Sequence, residues 1–153
     1  MQYGVIALGG TFDIIHIGHI ALLKKGFSIS EKVIIGLTSD EFALKNGKKL
    51  LNNYEKRHSV LKSLIEEKFL DSKFQISKLE NEFGPAVMED NVEALVVSGE
   101  TQYKGDILNK LRAEKNLSPV DVVSVPMVLG QDGERISTTR IRNNETDSKG
   151  NLC

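Results

Sequence analysis

Cysteine occurs once in the 153 residues, as Cys153, and tryptophan is absent. A single cysteine excludes an intramolecular disulfide and any metal cluster built on thiolates, so Cys153 reads as an incidental, exposed thiol. No apolar stretch approaches the ~20 residues that cross a bilayer. The opening MQYGVIALGG also has neither a basic n-region nor a cleavage site. The expectation is a cytoplasmic protein with no membrane partner. Neither sign of charge dominates, since 20 basic and 21 acidic residues leave a net charge of −1. That is too little for a whole-molecule field that would draw the protein onto nucleic acid. Any anion recognition must therefore be local. No internal repeat or low-complexity segment divides the chain.

What is present is an α/β pattern. With 40% hydrophobic residues the chain suffices for one domain and is short for two, so a single domain over 1–153 is expected, with 143–153 as a flexible tail. Apolar, β-branched runs recur at YGVIAL, KVIIGLT, KFQISKL, EALVVSG and VDVVSVPMV, separated by stretches with helical spacing. Five strands alternating with helices predict a five-stranded parallel sheet. Helices are expected over 18–25, over 54–68 with Val60, Leu61, Leu64 and Ile65 on the buried face, and over 105–115. In the last, Ile107, Leu108 and Leu111 should point inward and Arg112, Glu114 and Lys115 should be solvated. The polar segment KNGKKLLNN, 45–53, suits a mobile loop.

The stretch LGGTFDIIHIGH, 8–19, carries more glycine and histidine than a turn needs. Gly9 and Gly10 follow a buried strand and remove two Cβ atoms, which lets a ligand approach the backbone and exposes amide N–H groups. The segment matches neither G-x-G-x-x-G nor a P-loop. His16 and His19, three apart at a helix start, project from nearly the same face with Gly18 between them. Near the positive helix end they would donate to anionic oxygens. Two other readings stay open: metal ligation, for which only Asp13 stands nearby as a third ligand, and ordinary polar residues in a strand-to-helix turn. Asp13 itself is either a catalytic group or a cap for the loop.

GGTFDIIHIGH resembles the signature of the HxGH nucleotidyltransferase superfamily. ISTTRIR, 136–142, is similar to that superfamily's ISSTxxR motif with one Ser replaced by Thr. Its Ser137, Thr138 and Thr139 would offer hydroxyls and amides at a helix start, and Arg140 or Arg142 a fixed positive charge. KKLLNNYEKR, 48–57, looks like the family's substrate lysine and E-x-R helix start, with Lys48 the better match and Lys49 its rival. VIIGLTSDEFALK, EFGPAVMEDNVEALVVSGET and VPMVLGQDGERISTTRIR extend the resemblance over nearly the whole chain to the archaeal and eukaryotic type of phosphopantetheine adenylyltransferase. One departure is Ser98, where bacterial members carry an arginine.

The resemblance implies a Rossmann-like sheet with helices on both faces. It also implies ATP, with Mg²⁺, and 4′-phosphopantetheine as the substrates. His19 and Lys48 would stabilise the transition state, with His16 orienting or contacting ATP. Thr11, Lys48 and Arg57 would bind the acceptor, anchoring of its own helix being the other reading of Arg57. Gly9, Gly10, Thr11, Phe12, His16, His19, Ser98, Gly99, Glu100, Ile136, Ser137, Thr138, Thr139 and Arg142 would hold the nucleotide. No protein-held metal is expected, and a homo-oligomer is left open. The alternatives are another member of the superfamily, transferring a cytidylyl group or adenylating FMN or NMN, and a non-catalytic nucleotide-binding module.

Overall fold

Runs such as VIIGL and ALVV are apolar at consecutive positions, so the strands they form are stable only in a sheet covered on both faces. The computed structural model describes residues 2–47, 49–81, 91–98 and 103–125. Among these, β1 (Tyr3–Gly10), β2 (Ser30–Thr38), β3 (Lys73–Leu79), β4 (Ala94–Ser98) and β5 (Asp121–Val125) form one sheet in the order β3-β2-β1-β4-β5. Every neighbouring pair is parallel. The helices are α1 (Ile17–Ile29), α2 (Asp40–Lys45), α3 (Tyr54–Lys68) and α4 (Lys104–Glu114).

Period-two alternation divides the strand residues between two cores. Ile6, Leu8, Val33, Ile35 and Val96 pack with Leu23 of α1 and with Leu61 and Ile65 of α3 on one face. Ala7, Ile34, Leu95 and Val97 pack with Leu108 of α4 on the other. The Rossmann-like parallel sheet with helices on both faces is thus present.

Several local expectations are corrected. Val60 is exposed, and the buried line of α3 is Arg57, Leu61 and Ile65, spaced four apart as one helix stripe requires. In α4, Ile107 is exposed and Arg112 is buried, its Nε donating to Ser118 O at 2.7 Å. In both helices an arginine takes a core position because its stem is apolar and its head reaches backbone carbonyls. The α2 helix was not foreseen. It is only six residues long, and its signal is the Ser39 cap, whose side chain accepts from Phe42 N. Gly9 and Gly10 are the last two residues of β1, paired with Gly36 and Leu37, so the turn begins at Thr11.

The topology also places a crevice. After β1 the chain lays down β2 and β3 to one side and then crosses to β4 on the other. In such sheets ligands bind outside the strands' carboxyl ends, where this reversal occurs. The β1–β2 ladder runs to Gly10↔Leu37 and the β4–β5 ladder to Ser98↔Val125, whereas the β1–β4 ladder ends at Ala7↔Leu95. The carboxyl ends of β1 and β4 therefore part, leaving Gly9, Gly10 and Ser98 at the mouth.

Candidate active site

The loop leaving β1 is held from one side. The Thr38 hydroxyl donates to Gly10 O at 3.1 Å, and the Arg57 guanidinium donates to Thr11 O at 2.9 Å and Thr38 O at 2.7 Å. A trans peptide sets each N–H opposite the preceding carbonyl. Drawing the Gly10 and Thr11 carbonyls toward Thr38 and Arg57 thus turns the Thr11 and Phe12 amides the other way. Phe12 adopts the left-handed region at φ 50. The strain, about 1–3 kcal/mol for such a residue, is offset by burying the Phe12 ring, which is 1% exposed. A ring so enclosed has no surface for a nucleotide, so the contact expected of Phe12 falls to its backbone.

The histidine pair is built by the start of α1. His16 is the N-cap, with an extended backbone, and its Nδ1 accepts from Gly18 N at 3.1 Å. His19 Nδ1 in turn accepts from His16 N at 3.2 Å. This is a capping box made of two imidazoles in place of Ser and Glu. Its chemical consequence is a fixed tautomer: an Nδ1 that accepts carries no proton, so each neutral ring has its N–H at Nε2. The rings stack at 4.0 Å between centroids, and the Phe12 ring lies 4.8 Å from that of His19, so the orientation of His19 is set from two directions.

Gly18 is explained by the same geometry. A Cβ there would lie 2.9 Å from His16 Cε1 and 3.0 Å from its Nδ1, so the glycine makes room for the capping ring itself. In Gly18→Ala, the helix-propensity gain of about 1 kcal/mol is opposed by loss of a cap worth about as much. We expect a melting temperature within about 3 °C of wild type and a kcat lower by about tenfold or more as the two rings shift. Steady-state kinetics beside a thermal melt checks this; unchanged kcat would separate the capping geometry from turnover.

Asp13 is buried, and its two oxygens are spent: Oδ2 accepts from Leu51 N at 2.9 Å and Oδ1 from Asn52 N at 3.0 Å. It is a cap, acting on the segment before α3. This revises the mobile 45–53 loop, because residues 51 and 52 are tied to the β1 loop and α2 runs to Lys45. Arg57 likewise departs from direct substrate binding. Its side chain has 0% exposure and is occupied by Thr11 O, Thr38 O, Asn52 O and Asp40, so it is a positioning residue. Burial pushes the Asp40 carboxyl up, but the Arg57 hydrogen bond, the Tyr54 amide and the Arg57 and Lys78 charges outweigh this and hold it below the ordinary carboxylate value.

Thr11, His16 and His19 thus lie together on the loop and helix start that follow Gly9 and Gly10 at the end of β1, and Ser98 ends the neighbouring β4. Lys48, Gly99, Glu100, Ile136, Ser137, Thr138, Thr139 and Arg142 lie outside the described residues, as does the tail 143–153. The described residues hold no group of three or more His, Cys, Asp or Glu placed for a metal, and none of their helices is long and apolar enough to cross a membrane. Sequence reasoning missed Thr38, Asp40 and Asn52. A signal existed for the last: Asn53 alone caps α3, its side chain accepting from Lys56 N, so the preceding Asn52 was left without a role.

A parallel sheet whose reversal carries donor groups at the start of a helix is the arrangement in which α/β proteins bind anionic and nucleotide ligands. Residues 7–144 match the family described as cytidylyltransferase-like. Phosphopantetheine adenylyltransferase of Methanopyrus kandleri is 36% identical over 92% of this chain and 90% of its own. That of Methanosarcina barkeri is 41% identical over 96% and 91%. A solved structure from Archaeoglobus fulgidus, described as a protein with unknown function, superposes with a TM-score of 0.72 at 30% identity, over 80% of this chain and 88% of that one. By these matches the chain belongs to the phosphopantetheine adenylyltransferases of the cytidylyltransferase-like family.

Proposed function

We propose that the protein transfers the adenylyl group of ATP to 4′-phosphopantetheine, giving dephospho-coenzyme A and pyrophosphate. The observation that carries the chemistry is the pair of imidazoles whose Nδ1 atoms both accept, which makes each a neutral Nε2–H donor at the start of α1. A phosphate monoester has a second pKa of ~6, so near neutral pH the nucleophile is already ionised. No general base is needed, which agrees with an Asp13 fully engaged by amides.

An acceptor phosphate oxygen forms a bond to the α-phosphorus as the bond to the bridging oxygen breaks, and pyrophosphate leaves with the electron pair. His19 Nε2–H donates to the oxygens on which charge grows, the Thr11 hydroxyl bridges the two substrates, and His16 orients His19 or contacts ATP. Lys48, with Lys49 as the rival, adds positive charge at the same centre, and Ser98 with Gly99 and Glu100 lines the nucleotide side. The segment Ile136, Ser137, Thr138, Thr139 and Arg142 takes the outer phosphates. Mg²⁺, when bound with ATP, would supply charge neutralisation at the outer phosphates. Asp13, the carboxylate nearest the histidines in sequence, is engaged by the Leu51 and Asn52 amides, so the cation would be carried by the ATP phosphates. A cytoplasmic setting belongs to the same reading.

The test follows pyrophosphate release from ATP and from CTP, each with phosphopantetheine, pantetheine, FMN, NMN and glycerol phosphate. We expect turnover with ATP and phosphopantetheine. Pantetheine should be inert, because it lacks the ionised nucleophile. No pyrophosphate from phosphopantetheine alongside turnover of FMN or glycerol phosphate would keep the family and overturn the acceptor.

A further inference from the structure

Asn52 lies within KKLLNNYEKR, 48–57, and in space it reaches the loop of GGTFDIIHIGH. Its amide donates to Asp13 Oδ1 at 3.0 Å, and its Nδ2 donates to Asp13 O at 3.0 Å and to Asp13 Oδ1 at 3.3 Å. Its carbonyl accepts from Arg57 Nε at 3.1 Å. The same Arg57 holds Thr11 O, and the same Asp13 holds Leu51 N. One side chain thus sits where the loop that presents Thr11 and the histidines meets the segment that leads into α3.

We propose that Asn52 is a positioning residue for the transfer, fixing the β1 loop and residues 51 and 52 as one unit; this rests on the adenylyl-transfer reading above. Asp13 alone could take the two backbone amides. The Nδ2 group adds what Asp13 lacks, a donor to the Asp13 carbonyl. It thereby fixes the peptide that follows Asp13 as well as the carboxylate. The peptide directions set by Arg57, at Thr11, Thr38 and Asn52, and the one set by Asn52, at Asp13, define the spacing between residues 51 and 52 and the loop that carries Thr11. In-line transfer is sensitive to that spacing, because misplacement by about 1 Å costs on the order of 10²-fold.

A second asparagine in the protein provides the control. Asn109 also locks backbone with its side chain, accepting from Val120 N at 2.7 Å and donating to Val120 O at 3.1 Å, between α4 and the start of β5. Asn52→Leu and Asn109→Leu each remove such a lock without a large volume change. We measure kcat and KM at temperatures well below each melting point, and hydrogen exchange at the Leu51 amide. For Asn52→Leu we expect kcat lower by about tenfold, KM for ATP within about twofold, and faster Leu51 exchange. For Asn109→Leu we expect a lower melting temperature with kcat unchanged. If Asn52→Leu does not fold, Asn52→Ala carries the same expectation. A folded Asn52 variant with wild-type kcat overturns the proposal, as does a loss that merely follows the melting temperature. Wild-type protein inert with ATP and phosphopantetheine would overturn the function reading instead; Asn52 is then judged by Leu51 exchange, and unaltered exchange rejects it.

Discussion

His19→Ala is expected to lower kcat by about 10²–10³ while the melting temperature falls by only a few degrees. The two effects come from different atoms of one ring. Nδ1 accepts from the His16 amide, and losing a cap contact of that kind costs about 1 kcal/mol. On the adenylyl-transfer reading proposed above, Nε2–H donates to charge that appears only as the phosphorus passes through its crowded state, and removing such a donor costs about 2.7–4 kcal/mol of transition-state stabilisation. The second figure exceeds the first, so the variant should be a nearly intact fold with a crippled site. Because the interaction is made in the transition state, kcat and kcat/KM should fall together. His19→Gln restores a donor near the Nε2 position and should recover part of the rate. Thermal melts and saturation kinetics on the three proteins decide the matter; a folded His19→Ala enzyme within about tenfold of wild type would remove His19 from the reacting centre.

The histidines were legible in the sequence because their arrangement is local. Residues 16, 18 and 19 lie within one helical turn, and the chemistry of a helix start is a property of a few consecutive residues. The strands were legible for a related reason: aliphatic runs with turn signals between them leave few other ways to bury the same surface. The ends of α3 follow from Asn53 ahead of Tyr54 and from Lys68 ahead of Phe69. Periodicity failed where a charged residue stood on a buried stripe. It assigns arginine to solvent, whereas Arg57 and Arg112 are each 1% exposed, and only the carbonyls that meet them in space explain that. Asp13 could be suspected of capping, but not of capping Leu51 and Asn52, 38 and 39 residues away. Nothing in a one-dimensional pattern encodes such a partner.

Arg57→Leu should destabilise the protein by about 3–5 kcal/mol, chiefly because three backbone carbonyls lose a charged donor, each loss costing about 1–3 kcal/mol, and should lower the melting temperature by about 10 °C at this chain length. Leucine fills much of the apolar space below Leu61 but abandons three carbonyls, those of Thr11, Thr38 and Asn52, along with the Asp40 carboxylate. Arg57→Lys keeps a charge for one acceptor and loses the planar fork that serves the others, so its loss should fall between wild type and Arg57→Leu. Acid titration separates the ion pair from the carbonyls. Asp40 sits below its ordinary value of 3.8 in the fold. A lowered carboxylate contributes stability that is present above that ordinary value and is lost as the pH falls through the lowered one. Asp40 is 36% exposed, so solvent screens this share and it is the smaller one. The gap in melting temperature between wild type and Arg57→Leu should therefore narrow below about pH 4 without closing. A gap that closes there completely would make the ion pair the whole of Arg57's contribution. An unchanged melting point together with a raised KM for phosphopantetheine would return Arg57 to direct substrate contact.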